Sequence, residues 1–496
     1  MNDQHHGRTP FPSLSHLWWL LVPLGLLILL NRSVIYPNDF WWHLRTGAII
    51  LSEKHIPTTD RFSFTRAGAP WINQAWLMQI ALYLIYRLGD LPLTIFIHAL
   101  TTTLGYTLPL LYLGARRGIR VAALATAAGA AAGAYNWSVR PQMISFLLFG
   151  CLILLLEWER EGATWARYGV GPLFLLWGNA HGGFVFGLAA LVLYLIGRTW
   201  DRGLRPWRTT LASWSMVVWA LLGLSLNPQG PWGLLRYVLG FFRSKVTFAA
   251  NEEFLPLTLR QGDGVLFFVT LGLWGTLLVT GRHKPRWTRV VPLLTLALAA
   301  LWSRRASPWY GFLLIPALAD ALAAHPALTK PLPPGRVWVN RGILLLLLVA
   351  LLLSLPWLRG HIPPPLAPGS LVSKTTPVEG MQVLCARADS SARVYGYQAF
   401  NAYQIWACPH LPVFIDTRIE LYPPALWEDY FRLEEARFDW EEIASRYHLT
   451  HLFLSPAHQP DLVEAAQRSS HWRRVYQDDR SVLFESMGVG GGGSND

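Results

Sequence analysis

The chain has 496 residues, of which 52% are hydrophobic and only 15% charged, and its mean hydropathy is +0.28. Soluble domains carry roughly a quarter charged residues, so this composition excludes an ordinary water-soluble protein and points to membrane solvation. The net charge of +12 does not argue for a nucleic-acid partner: Lys and Arg sit in short links between apolar runs, as topology signals do, while most Asp and Glu follow residue 377.

Residues 1–13, with Arg8, are expected in the cytoplasm. The apolar run Leu17 to Leu30 resembles a signal-peptide core, but it leads into Asn31-Arg32 with no small-residue cleavage pattern, so it reads as a retained first membrane helix. Candidate segments follow at approximately 14–31, 73–88, 92–114, 121–138, 142–157, 168–180, 183–197, 210–226, 264–280, 288–302, 308–323 and 342–358. They give a membrane domain over 14–358 with about 11–13 helices. Positive charge assigns to the cytoplasm the links holding Arg116, Arg117 and Arg120, then Arg198, Arg202, Arg205 and Arg208, then Arg282, Lys284, Arg286 and Arg289, and last Lys330, Arg336 and Arg341. Alternation then places outside the first loop 32–72, Arg140-Pro141-Gln142, 179–183, 227–230, the loop 231–262 and Ser303-Arg304-Arg305. Parity then leaves two readings: one early segment, most simply 73–88, fails to cross, or the Arg116 cluster departs from the charge rule.

In the first loop, Phe40 to Ile50 reads as a short interfacial helix with Trp41 and Trp42 at headgroup level. Pro-rich stretches at 331–337 and 361–368 bracket the last helix, and 371–487 reads as a small extracytoplasmic α/β domain. Its strand cores fall near 392–397, 412–416, 451–454 and 472–476, the last turning into a hairpin with 481–484; helices are expected at 425–435, 439–448 and 461–470. Residues 488–496 read as a flexible tail. Cys151 reads as packing, whereas Cys385 and Cys408 share the terminal domain and can pair if it faces an oxidising compartment.

Asp39 is the first candidate for chemistry, with His43 four positions on along one helical face. It suits a general base or a ligand of a divalent ion such as Mg or Mn, with Trp41 and Trp42 contacting lipid or sugar; the alternative is a helix N-cap in an aromatic belt. Asp60 is either a second carboxylate or an Asx turn. Glu252 and Glu253 suit a metal or an acceptor group, or an ordinary helix start. His181, flanked by glycines, suits a phosphate oxygen or a packed bend. Arg304, Arg305 and Arg140 suit a lipid-linked phosphate, against simple headgroup snorkelling. No phosphate loop, dinucleotide fingerprint or zinc-protease signature is present, which argues against ATP hydrolysis and nicotinamide redox chemistry.

These residues together resemble a broad group of bacterial membrane proteins with the type C glycosyltransferase architecture, distantly similar to protein O-mannosyltransferases and lipid-A aminoarabinose transferases. The resemblance rests on a first helix followed by an acidic outer loop, many further helices and a terminal extracytoplasmic domain. Locally it rests on Asp39 to Gly47, Pro57 to Phe64, Trp71 to Trp76, Arg140-Pro141-Gln142, Asn227 to Gly230, and Phe414 to Arg418 with Leu421-Tyr422. It implies a polyprenyl-phosphate sugar donor and makes Asp39 the base or metal-associated carboxylate, with Asp60 second. Asn38 stands where many relatives have a second acid, and the Trp-Trp-Asp signature of oligosaccharyltransferases is absent.

The expected function is transfer of one sugar, with inversion, from that donor to an extracytoplasmic lipid, glycan or protein hydroxyl, in the bacterial inner membrane. The alternative is a noncatalytic assembly subunit contacting membrane lipids and membrane-protein partners; a transporter ranks third, because no inverted repeat is evident.

Overall fold

A computed structural model describes residues 11–203, 207–243, 252–281, 284–333, 335–361 and 369–487, with backbone alone at 241–243 and 252. Arg8, Arg205, Arg282, the stretch 362–368 and the tail 488–496 lie outside these residues. The chain divides into two compact units, Met1–Ser33 with Leu88–Leu234 and Asn251–Leu371, and Val34–Arg87 with Leu235–Ala250 and Val372–Asp496.

The first unit is helical. It runs through Leu14–Leu30, 91–117, Ile119–Ala132, Met143–Arg160, Trp165–Ala180, Phe184–Arg202, Trp207–Ser225, Gly262–Thr280, Trp287–Trp302, Ser307–Ala323 and Val337–Ser354. Among the described residues, Trp76–Arg117, Phe184–Arg202, Gly262–Thr280 and Val337–Ser354 are long and apolar enough to cross a membrane by themselves; Leu14–Leu30, Ile119–Ala132 and Trp287–Trp302 are apolar but shorter. With no hydrophobic drive between helices in lipid, small residues let backbones approach. A Cβ on Gly129 would lie 2.5 Å from the Gly311 carbonyl oxygen, and one on Gly150 would lie 2.2 Å from that of Gly105.

Segments 73–88 and 92–114 form one long element, Trp76–Arg117, broken at Gly89 and Asp90, where Asp90 takes φ 54°. The unit boundary falls at the same place, so residues 76–87 belong to the second unit. The stretch expected as the loop 231–262 opens with a helix, Gly230–Arg243, and a short turn follows at Glu252–Phe254.

The second unit joins the first loop to the terminal domain, a partition the sequence reading did not anticipate. Its sheet has strands β1 (Val394–Gly396), β2 (His451–Leu454), β3 (Trp472–Gln477) and β4 (Val482–Ser486) in the order β1-β2-β4-β3. β1 pairs parallel with β2; β2–β4 and β4–β3 are antiparallel, with an irregularity between Arg474 and Tyr476. The expected strand at 412–416 is instead a buried extended segment whose Val413 bridges both Ser63 and Val394. Helices Val378–Arg387 and Gln398–Ala407 flank the sheet, and Cys385 pairs with Cys408 across a Cα separation of 5.6 Å.

The loop helix Phe40–Glu53 rests on the Trp76–Arg117 element through Gly47, where a Cβ would meet the Gln79 carbonyl oxygen at 2.1 Å. Only Gly fits such an approach.

Candidate functional site

In the second unit, the motif residues of the first loop and terminal domain converge on one buried guanidinium. Arg418, 1% exposed, holds Asp60 and Asp416 at 2.6 Å each, and the faces of Trp71 and Phe62 lie 4.8 and 4.9 Å from its centre. Asp60 also accepts from the Ser63 hydroxyl at 2.5 Å and from the Phe62 and Ser63 amides, and the Tyr422 hydroxyl accepts from the Asp416 amide at 3.1 Å. Every lone-pair direction of Asp60 is used, and the residue is 2% exposed. It is a structural ion-pair partner, which corrects its assignment as a catalytic carboxylate.

Trp41 and Trp42 are corrected in the same way. They are 3% and 8% exposed, and their indoles donate to the Tyr36 carbonyl at 2.9 Å and the Thr417 hydroxyl at 3.1 Å, so they pack the domain core rather than face lipid or sugar. His43 is buried against Trp42, with ring centroids 3.5 Å apart, and its Nδ1 lies 3.1 Å from Gln79 Nε2. Gln79 in turn exchanges two 2.8 Å hydrogen bonds with Asn73.

Asp39 stands at the start of the loop helix, half-buried, yet its side chain does not cap it; Asn38 Oδ1 accepts from the Phe40 amide instead. Glu420, from the turn Ile419–Leu421, lies close enough to feel the Asp39 charge. Glu420 is exposed, yet the atoms packed around its carboxyl raise it from the ordinary glutamate value. Its own amide and Arg418 oppose the rise, and the negative charges of Asp39 and Asp416 add to it. Glu420 lies between Phe414-Arg418 and Leu421-Tyr422, but nothing in the sequence spacing brings residue 420 back to residue 39.

The first unit gathers a second constellation from four separate links. Glu253 receives Arg140 at 2.5 Å, Arg305 at 3.6 Å and the Asn136 amide at 3.0 Å. Arg304 pairs with Asp263 at 3.0 Å and lies 4.2 Å over the Tyr135 ring. Burial opposes charge on Glu253, but Arg140 and Arg305 outweigh it and hold the carboxyl down to about 2. Glu253 is thus an anion that orients guanidinium groups; the Glu252 side chain lies outside the described residues.

The three arginines remain 13%, 13% and 31% exposed, so a phosphate oxygen can still reach them. His181 sits beside them, its Nδ1 accepting from the Gly183 amide at 3.0 Å and lying 2.8 Å from Ser145 Oγ. Burial, then Arg305 and Arg140, push it down to about 3, which leaves a neutral ring with Nε2 as its donor.

The opposite ends of these helices carry another network. Arg289 pairs with Glu157 and Asp320, Arg117 with Asp320 at 2.9 Å, and Arg160 with Glu157 at 2.7 Å. Arg289 lies near the start of the Trp287–Trp302 helix and Arg304-Arg305 just past its end, so the two networks lie roughly 20 Å apart along it. Several basic residues read as topology signals are therefore also neutralised structurally. Among the described residues no group of three or more His, Cys, Asp or Glu is arranged to hold a metal ion.

No protein-family model matches the sequence, and no curated protein matches it. Among solved structures the chain is similar to ArnT from Cupriavidus metallidurans. The apo state gives TM-score 0.52, 14% identity, and 95% of this chain over 97% of that one. The form bound to undecaprenyl phosphate gives TM-score 0.50 and 15% identity over the same shares. It is also similar to an Archaeoglobus fulgidus oligosaccharyltransferase tethered to an acceptor peptide, with TM-score 0.52, 12% identity, and 92% of this chain over 73% of that one. The arabinofuranosyltransferase AftD from Mycobacteria gives TM-score 0.54, 18% identity, and 95% of this chain over 42% of that one. The chain therefore has a polytopic helical membrane fold with a small terminal sheet domain, distantly resembling the type C membrane glycosyltransferases.

Proposed function

We propose that the protein transfers a sugar from a polyprenyl-phosphate donor to an extracytoplasmic lipid, glycan or protein hydroxyl, in a bacterial inner membrane with its N-terminus cytoplasmic and its terminal domain outside. The observation that carries this is the gathering of Arg140, Arg304 and Arg305 around Glu253 and Asp263, three cations against two anions. Guanidinium groups held at fixed angles bind phosphate oxygens and stabilise the charge that develops as a phosphate leaves. The fold's likeness to an ArnT structure holding undecaprenyl phosphate supports the lipid class.

In this reading Asp39 takes the proton of the acceptor hydroxyl as its oxygen bonds to the anomeric carbon. The bond from that carbon to the phosphate oxygen breaks, and polyprenyl phosphate departs with the electron pair. One displacement inverts the centre. If Mg or Mn takes part, Asp39 is the carboxylate that would hold it, since such ions often use one or two carboxylates plus substrate phosphate oxygens. Asp39 and the arginines belong to different units, and each role is tested by itself.

The arginine role is read by native mass spectrometry of the full protein with undecaprenyl phosphate. The R140Q/R304Q/R305Q variant should retain at least about tenfold less lipid than wild type. Equal retention by a folded variant would remove the phosphate role.

A further inference from the structure

The second unit has a cavity of about 260 Å³ that the proposed transfer does not use, lined chiefly by Arg45, Ile49, Glu53, Arg61, His410 and Pro412. Arg45, Ile49 and Glu53 recur every four residues along the loop helix and so share one of its faces. Arg45 lies six positions beyond Asp39, about 9 Å along the axis and on another side of the helix, so the cavity is distinct from the Asp39 position.

Its charges are unequal. Arg61 is held by Glu53 at 2.6 Å, and His55 lies 3.4 Å from the same carboxylate. His410 Nε2 lies 3.3 Å from the Ala388 carbonyl oxygen. Arg45 is half-buried and has no hydrogen-bond or ion-pair partner among the described residues. A guanidinium that gives up part of its hydration without a counter-charge is an anion receptor by default.

The walls add a second feature. Phe62, Pro409 and Pro412 also line the cavity beside these polar groups, and the segment after Cys408 is pinned by the disulfide to Cys385. A flat apolar wall next to a charged fork matches a sugar ring, whose C–H face is apolar and whose substituents are polar.

We infer that this cavity binds an anionic saccharide, its carboxylate or phosphate group on Arg45 and its ring against Phe62 and the proline-bounded wall. The site stands independently of the transfer reaction and supplies an anchor for a charged envelope glycan.

The test is calorimetric titration of the full protein in nanodiscs with glucose 1-phosphate, glucuronate, neutral glucose and inorganic phosphate. At least one of the two anionic sugars should bind more tightly than glucose and than inorganic phosphate, and which of them binds identifies the anionic group. R45Q should weaken that binding about tenfold or more, R45K should retain part of it, and D39N should bind as wild type does even if transfer is lost. Glucose binding as tightly as the anionic sugars, inorganic phosphate matching them, or R45Q with unchanged affinity and an unchanged unfolding midpoint would each overturn the inference.

Discussion

At the residue scale, the sequence motif near the terminal domain turns out to serve stability before chemistry. Arg418 closes two buried carboxylates and two aromatic faces, so removing it leaves Asp60 and Asp416 as uncompensated buried charges. R418A should lower stability by about 3–5 kcal/mol, read from the unfolding midpoint of the purified protein, and R418K should rescue little, because an ammonium cannot fork to both carboxylates. Glu420 makes the opposite kind of prediction. Its carboxyl is raised, so transfer that depends on its ionised form should rise with pH through that raised value. E420Q, which cannot ionise, should hold kcat/KM near its low-pH level across the range; an unchanged profile would separate Glu420 from the reaction. The Asx turn at Asp60 was legible, since its carboxylate accepts from the Phe62 and Ser63 amides, whereas its pairing with Arg418 was not, because that partner lies 358 positions away.

At the element scale, periodicity found the apolar helices because each carries its own signal over many residues. It failed where tertiary pairing decides. Residues 412–416 have strand composition, yet they form only isolated bridges, from Val413 to Ser63 and to Val394 of β1. Helices Val378–Arg387 and Gln398–Ala407 were missed, the second beginning among aromatic residues that favour strands. The two helices are tied at Cys385 and Cys408, which stand 23 positions apart. Closing a loop of that size restricts the unfolded chain by about 3 kcal/mol. C385S in the exported protein should therefore lower stability by about 2–4 kcal/mol, and a reducing agent should shift the wild-type unfolding midpoint but not that of C385S.

At the scale of the whole molecule, the class was readable from composition alone, and the break at Gly89 and Asp90 gives a physical reason why 73–88 and 92–114 are not equivalent segments. What no linear pattern could show is that the first loop folds with the terminal domain, since that depends on the bridges Ile35 to Val372 and Ser63 to Val413, each formed across more than three hundred residues. Nor could it show that Arg140, His181, Glu253 and Arg304-Arg305 would be gathered at one end of the helical unit; positive-charge counting gives a side, not a distance. The most direct test of the proposed activity is release of polyprenyl phosphate, followed by mass spectrometry, from a panel of polyprenyl-phosphate sugars incubated with the full protein and an envelope lipid and glycan extract. The account predicts that wild type consumes at least one donor and that D39N does so about 10²–10⁴-fold more slowly. Equal rates for the two proteins, or no donor consumed by wild type, would contradict it.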